Sequence, residues 1–506
     1  MSTVVGHDPR TGQPVGGGVP HTSPADLDQI VAAATAAAPR LAALGPVDRA
    51  RLLTGLADAL DVAGEDLVPL AMAETGLGRP RLVGEVARTS FQLRLMATAV
   101  LEGSLVEAVL DSADPTAAPP RPDLRRMLVP IGPVLVFSAS NFPFAFSTLG
   151  GDTASALAAG CPVVVKAHEG HPELTARCTA LARDVVSDLG LPSGTFDAVY
   201  GVESGPAAVQ HPGIRACGFT GSARGGRALF DLANQRPDPI PFYGELGSIN
   251  PTVVTPAAIA ARGEEIAAGY VGSFTLGNGQ FCTKPGLLFL PAGHGLDGRL
   301  RELVGEVESA PMLTERVRAA FDTGVGSLAD RPSVRVIAAP EASPGRPGQW
   351  AAPSLLATSA AQWSSDVEAL SQECFGPVSL VVEYESPGEL VAALSLLEGS
   401  LTATVHAEPV DGLPVADLLA VLDRKVGRVI WNGWPTGVAV AWAMQHGGPH
   451  PVTTNALHTS VGVTATRRWL RPVTYQSVPD ALLPPALREG NPLGIPRRVD
   501  GVLVLP

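Results

Sequence analysis

The sequence predicts an α/β protein with a doubly wound parallel-sheet region followed by a second α/β region, and three observations carry that expectation. From Ile131 to about Tyr243, short apolar runs alternate with amphipathic helical stretches. A parallel sheet needs that order, because each crossover has to return across one face of the sheet. A second series of short apolar runs starts near Glu245. The 506 residues also exceed what one core ordinarily serves, so two or three domains are expected.

Taken in order, a Gly/Pro-rich opening leads to Ser23-Pro24-Ala25-Asp26, which reads as a helix start, with apolar residues at helical spacing to about Leu44. Further helices are expected over Val47–Ala63 and from Leu82 to about Leu101. Asp111–Pro122 is rich in Pro, Ala and Asp and reads as an exposed connection, with an extended segment behind it at Leu124–Pro130. The first sheet should hold Val134–Phe137, Val163–Val165, Phe196–Val199 and Ile214–Phe219, with helices near Ser147–Ala159 and Pro172–Leu189 between them. The second region should place strands at Thr252–Val254, Leu287–Leu290, Val334–Ile337 and Val378–Val382, with Ala339–Gln349 as a surface insert. After Trp431 the chain is loop-rich, and Val473–Val478 reads as extended.

The formal charge of −13, without any dense Lys/Arg run, argues against a nucleic-acid or anionic-membrane binder. Five cysteines, Cys161, Cys178, Cys217, Cys282 and Cys374, stand far apart with no CxxC pair, so neither a disulfide framework nor a metal site is expected. The opening residues lack the basic and apolar regions of a signal peptide, and no apolar run is long enough to span a bilayer. A soluble cytoplasmic enzyme is the expectation.

Several residues offer chemistry. Cys282, in Gly279-Gln280-Phe281-Cys282-Thr283-Lys284-Pro285, is a ready nucleophile by type, although a lone cysteine is more often an inert small hydrophobe. Phe219-Thr220-Gly221-Ser222 precedes a helix whose first amides can hold a pyrophosphate, or simply needs its glycine sterically, and it is not a GxGxxG fingerprint. Lys166 and Glu169 sit at a strand end, where ribose hydroxyls can be met and where solvated charges are also common. Asn141 follows the first strand and could donate to an oxyanion or satisfy its own turn. Glu245, in Tyr243-Gly244-Glu245-Leu246-Gly247-Ser248, lies within an apolar stretch, where desolvation tends to raise a carboxyl pKa and suits a general base. Glu373 and Phe375 occupy a tight apolar turn, Glu373-Cys374-Phe375-Gly376-Pro377.

In this order the set resembles the aldehyde dehydrogenase superfamily along nearly the whole chain. The resemblance implies that Cys282 is the nucleophile, Asn141 an oxyanion donor and Glu245 the general base. It implies that Lys166, Glu169, Gly221, Ser222, Glu373 and Phe375 meet NAD or NADP, with the acid at Glu169 favouring NAD. It implies a Rossmann-like cofactor domain (1–110 and 131–243), an α/β catalytic domain (244–450), and a small β oligomerisation arm with a C-terminal tail (111–130 and 451–506). A homodimer or homotetramer follows from the same resemblance.

More narrowly, Leu276–Gly286, Asn432–Val438 and His446-Gly447-Gly448-Pro449-His450-Pro451 resemble the branch containing α-ketoglutaric semialdehyde (2,5-dioxopentanoate) dehydrogenases and NADP-linked fatty aldehyde enzymes. Ser248 stands where the superfamily's ELGG has its second glycine, and the late PFGG motif is absent. The helix that lines the aldehyde tunnel in such relatives corresponds to Glu85–Leu101, so Arg88, Gln92 and Arg94 are candidate anchors for a distal carboxylate, with Phe142 and Trp434 as apolar walls. Rival readings are a cysteine hydrolase pairing Cys282 with a histidine, and an inactive scaffold. No histidine has a privileged local context.

Overall fold

The helical first part of the chain forms as its periodicity requires. In the computed structural model, which describes residues 2–342, 345–409, 411 and 415–506, the helix Pro24–Ala42 opens on a capping box. The Ser23 side chain accepts from the Asp26 amide while the Asp26 carboxylate reaches back to residue 23. The next helix, Pro46–Thr75, continues well past Ala63, because Leu67, Val68 and Ala71 keep the buried stripe going. Gly64 does not break it: a side chain there would only touch Val86 of the following helix, Arg79–Glu102, against which it packs.

The cofactor-type sheet has five strands, all parallel, in the spatial order Phe196–Val199, Val163–Lys166, Val134–Phe137, Ala216–Thr220 and Phe242–Glu245. The chain builds outward on one side of the central strand and then jumps to the other. That reversal opens a crevice at the carboxyl ends of Val134–Phe137 and Ala216–Thr220. The edge strand ends on Glu245.

The second sheet has seven strands, ordered Arg335–Ala338, Ser354–Ser359, Val378–Tyr384, Leu287–Pro291, Pro251–Val254, Ser400–His406 and Val426–Trp431, and only the first of these runs antiparallel to its neighbour. Three of its strands were not anticipated. Ser354–Ser359 and Ser400–His406 mix Ser and Thr with apolar residues, so hydropathy does not peak even though they are almost wholly buried. Val426–Trp431 carries Arg428 and is half-exposed. The hairpin Thr3–His7/Pro14–Pro20 was also missed, since Gly and Pro argue locally against strand. The insert Ala339–Gln349 is exposed over most of its described part, and residues 343 and 344 lie outside the described set.

A third sheet forms the arm: Leu470–Gln476, Leu124–Pro130, Ala108–Asp111, Arg497–Val499 and Val502–Val504. It starts at Ala108, just inside the stretch read as cofactor domain. The turn Val463–Trp469, read with the arm and tail, sends Trp469 into the cofactor-domain core, where its Nε1 donates to Ser155 Oγ at 2.8 Å. No helix among the described residues is long and apolar enough to cross a membrane.

Trp469 therefore pins the arm to the cofactor domain. Trp469→Ala is expected to cost ~3–5 kcal/mol of stability, read as a lower denaturation midpoint, and a loss under ~1 kcal/mol would show that the anchor lies elsewhere.

Candidate active site

Cys282 reaches its position through a run of unusual backbone. Gly277, Asn278 and Gly279 have φ of 56°, 57° and 65°, a left-handed run that turns the chain out of the helix Pro256–Thr275. Gly279 is obligatory for a second reason, because a Cβ there would sit 2.2 Å from the backbone of Gly376. Asn250 then fixes the loop by donating from Nδ2 to the carbonyls of Cys282 (2.7 Å) and Lys284 (3.0 Å).

The strand Phe242–Glu245 delivers a carboxylate to this loop, and the segment 446–460 delivers a histidine. The Cys282 Sγ lies 3.5 Å from His446 Nε2, which lies 2.9 Å from Glu245 Oε1. Ser460 Oγ donates to the other oxygen, Glu245 Oε2, at 2.6 Å. The His446 backbone is tied to Thr459 and Ser460 by hydrogen bonds, and the Leu246 amide donates to Val452 O at 2.7 Å. The His446 side chain is 0% exposed and that of Glu245 4%, so the imidazole and carboxylate meet in a nearly dry environment, with the partly exposed Cys282 at its edge.

Burial sets their protonation. Burial first, then the Glu245 carboxylate and, more weakly, Glu373, push the Cys282 thiol well above its ordinary pKa. The resting cysteine is therefore a neutral thiol. For Glu245, burial is the largest single influence and pushes upward, but His446, Ser460 and Cys282 together outweigh it and hold the carboxyl below its usual value. This reverses the raised pKa expected from the sequence, because the residues supplying the opposing partners are 37 to over 200 positions away. Burial pushes Glu373 up to about 7, with Lys284 and the Ser248 amide acting against it.

Asn141 is buried and donates from Nδ2 to Gln280 O at 3.0 Å, two residues before the sulfur. Its loop is braced from the helix Arg79–Glu102: Arg81 donates to Asn141 O, and Glu85 accepts from the amides of Phe144 (2.8 Å) and Ala145 (3.0 Å). Phe142 packs edge-on against Phe146 and Phe281, and Arg88 lies over Phe146 at 5.1 Å. Arg88 Nη2 donates to Val438 O at 3.2 Å, while Nη1 is buried without a partner. Arg428, absent from the sequence-level set, donates to Gly437 O (3.1 Å) and Pro435 O (2.9 Å) and leaves Nε buried and unpaired. Both guanidinia lie close enough to Cys282 to respond to charge on its sulfur.

Three expected substrate contacts do not fall in this group. Arg94 points away, into exposed ion pairs with Asp58 and Asp61, because its position on the helix faces the preceding helix. Trp434 turns onto the helix Pro256–Thr275, near Tyr270 and His406, where the bare Gly269 admits its ring. Gln92 is buried beside Gly151, with Nε2 unpaired.

The crevice of the parallel sheet fits a dinucleotide. Lys166 and Glu169 pair at the end of one strand. Across the central strand, Gly221, Ser222 and Ala223 leave the first turn of the helix Ala223–Asn234 open to solvent, with Ser222 capping it. Glu373 approaches from the second domain, its carboxylate 2.4 Å from where a Cβ on Gly247 would stand, so a side chain there would displace it. Phe375 packs on the cofactor-domain core.

Like Arg428 and Ser460, His446 is a side chain of this cluster that sequence reasoning missed. It appeared there only within a motif shared with one branch, and its 164-residue separation from Cys282 gave no local signal.

A model of the aldehyde dehydrogenase family matches residues 2–452. The chain is 46% identical to Alpha-ketoglutaric semialdehyde dehydrogenase 2 of Azospirillum brasilense, covering 99% of this chain and 96% of that protein. It is 44% identical to Alpha-ketoglutaric semialdehyde dehydrogenase of Acinetobacter baylyi over 90% and 87% of the two chains. In fold it is similar to the crystal structure of methylmalonate-semialdehyde dehydrogenase from Oceanimonas doudoroffii, with a TM-score of 0.80 at 20% identity over 95% and 96% of the chains.

The electrostatics yield one prediction. Removing the negative neighbour in Glu245→Gln should move the pH midpoint of Cys282 alkylation by iodoacetamide downward, so that the variant reacts faster than the parent at neutral pH. An unchanged profile would mean that burial alone sets the thiol.

Proposed function

The chain belongs to the aldehyde dehydrogenase family, and from that premise we propose that it oxidises an acid semialdehyde, with 2,5-dioxopentanoate yielding 2-oxoglutarate as the leading case. It is an NAD(P)-dependent aldehyde dehydrogenase. The single observation that carries the substrate class is the pair of part-buried arginines, Arg88 and Arg428, each of which keeps one buried guanidinium nitrogen unpaired.

In this reading the Cys282 proton passes to the Glu245–His446 pair as the sulfur adds to the aldehyde carbon. The oxyanion takes the Asn141 amide, which gives up Gln280 O, and the Cys282 amide; each donor is worth ~3 kcal/mol of barrier. Lys166, Glu169, Gly221, Ser222, Glu373 and Phe375 would hold NAD or NADP, which would supply the hydride acceptor; loss of hydride from the adduct leaves a thioester on Cys282. Once the pair has released the thiol's proton to solvent, Glu245 removes a proton from water as it attacks that thioester and returns it to the departing sulfur, so the thiol is restored and the acid leaves and ionises. His446 and Ser460 keep Glu245 ionised and aimed at the sulfur.

A fatty aldehyde is the second reading, favoured by the aromatic walls Phe142, Phe146 and Phe281. Charge decides against it. A hydrocarbon tail would leave buried guanidinium N–H groups facing apolar atoms, at ~1–3 kcal/mol for each unpaired donor, whereas a carboxylate satisfies them. The Glu169 carboxylate favours ribose hydroxyls over a 2′-phosphate, so NAD is the preferred cofactor. A cytoplasmic homodimer or homotetramer completes the proposal, with the arm strands Leu124–Pro130 and Leu470–Gln476 at the subunit contact.

Arg88→Ala should raise KM for 2,5-dioxopentanoate ~10–100-fold, the worth of a charge-assisted hydrogen bond, and change KM for hexanal less than ~3-fold. Equal effects on both aldehydes would remove the anchor. NADH formation should exceed NADPH formation in the same assay, with Cys282→Ala as the inactive control. NADPH formation ahead of NADH would overturn the cofactor preference.

A further inference from the structure

We propose that Cys282, His446 and Glu245 constitute a binding site for a divalent cation of the zinc class, and that occupancy shuts the catalytic centre reversibly. The inference rests on the geometry of the three side chains and holds whichever aldehyde the enzyme uses.

The ligand types are a thiol, an imidazole and a carboxylate, a set that zinc-class ions take and that Mg²⁺ or Ca²⁺ do not. Their candidate ligand atoms all lie within 4.8 Å of one another. On a tetrahedral ion, with Zn–S about 2.3 Å and Zn–N about 2.0 Å, sulfur and nitrogen stand roughly 3.5 Å apart. The observed Sγ to Nε2 separation is 3.5 Å. The carboxylate oxygen stands 2.9 Å from Nε2, against roughly 3.3 Å on an ideal tetrahedron. Along the histidine–carboxylate edge, an opening of a few tenths of an ångström meets the tetrahedral spacing.

The rest of the surroundings suit a ligated histidine. His446 Nδ1 is buried with no partner. A cavity of about 20 Å³, enough for one water, adjoins His446 and Glu245 and is lined further by Thr453, Asn455, His458 and Ser460. A water there can accept from Nδ1–H and so leave Nε2 free to ligate. Glu245 Oε1 has no well-aligned hydrogen bond, its other oxygen being held by Ser460. Uptake of the ion replaces the Cys282 S–H bond by an S–metal bond and releases that proton to water, with no change of oxidation state. The sulfur is then unavailable for addition to an aldehyde.

The other cluster of this kind among the described residues, His294, Asp297 and Glu383, is already filled. Arg335 donates to both carboxylates, at 2.7 and 2.6 Å, and His294 Nδ1 accepts from the Leu296 amide, which leaves the proton on Nε2.

The test is a Co²⁺ titration of the chelator-treated, full-length protein followed by absorption. A single-equivalent complex with tetrahedral visible bands and a thiolate-to-cobalt charge-transfer band is expected, displaced by Zn²⁺ and unaffected by Mg²⁺. Cys282→Ser should lose the charge-transfer band, and His446→Ala and Glu245→Gln should weaken binding by at least about tenfold, each with an unchanged far-ultraviolet circular dichroism spectrum. Glu383→Gln should bind as the parent does. No charge-transfer band at about tenfold excess Co²⁺, or a band that survives Cys282→Ser, would overturn the proposal. Aldehyde oxidation in the metal-free protein is read separately, so a bound ion without any activity would count against the functional reading and not against the site.

Discussion

The contact that the rest of the site depends on is the buried meeting of Glu245 with His446 and Cys282. An ionised carboxylate removed from water is costly unless it is paired and hydrogen-bonded. Here the stabilising groups come from Ser460 and His446, on a segment that reaches the Phe242–Glu245 strand through the Glu245–Thr453 bridge. The two parallel sheets, the left-handed turn before Cys282 and the 446–460 segment are what bring the four residues together. Without His446 and Ser460, burial would push the Glu245 carboxyl upward and weaken its hold on the charge.

The same burial that stabilises the carboxylate only in company makes the sulfur wait. Cys282 is held as a thiol by desolvation and by the adjacent negative charge, which protects the strongest nucleophile in the chain from adventitious electrophiles and oxidants. Release of its proton is coupled to the pair beside it. Arg88 and Arg428 donate to the carbonyls of Val438, Pro435 and Gly437 and so hold the loop that faces them.

Much of this was legible in the sequence, and the reason is local. The parallel strands of the first sheet read as short apolar runs because both faces are buried. Cys282, Asn141, Lys166 and Ser222 sit on strand ends and turns whose residue types betray them. What was not legible depends on distant partners. The strands Ser354–Ser359 and Ser400–His406 are polar enough to hide, yet are buried by a sheet assembled from the whole second domain. Arg94 shares its helix with Arg88, but the side of that helix is chosen by Asp58 and Asp61. Trp434 follows Gly269, and the sign of the Glu245 pKa follows His446, neither of which spacing could reveal.

The account's central claim is that Cys282 carries the acyl group and Glu245 releases it. Mass spectrometry of the Glu245→Gln protein, quenched after mixing with 2,5-dioxopentanoate and NAD, tests that directly. The account predicts a thioester adduct of the 2-oxoglutaryl mass accumulating on the peptide that contains Cys282. An adduct on another residue, or none while NADH is still formed at the parent's steady rate, would contradict it.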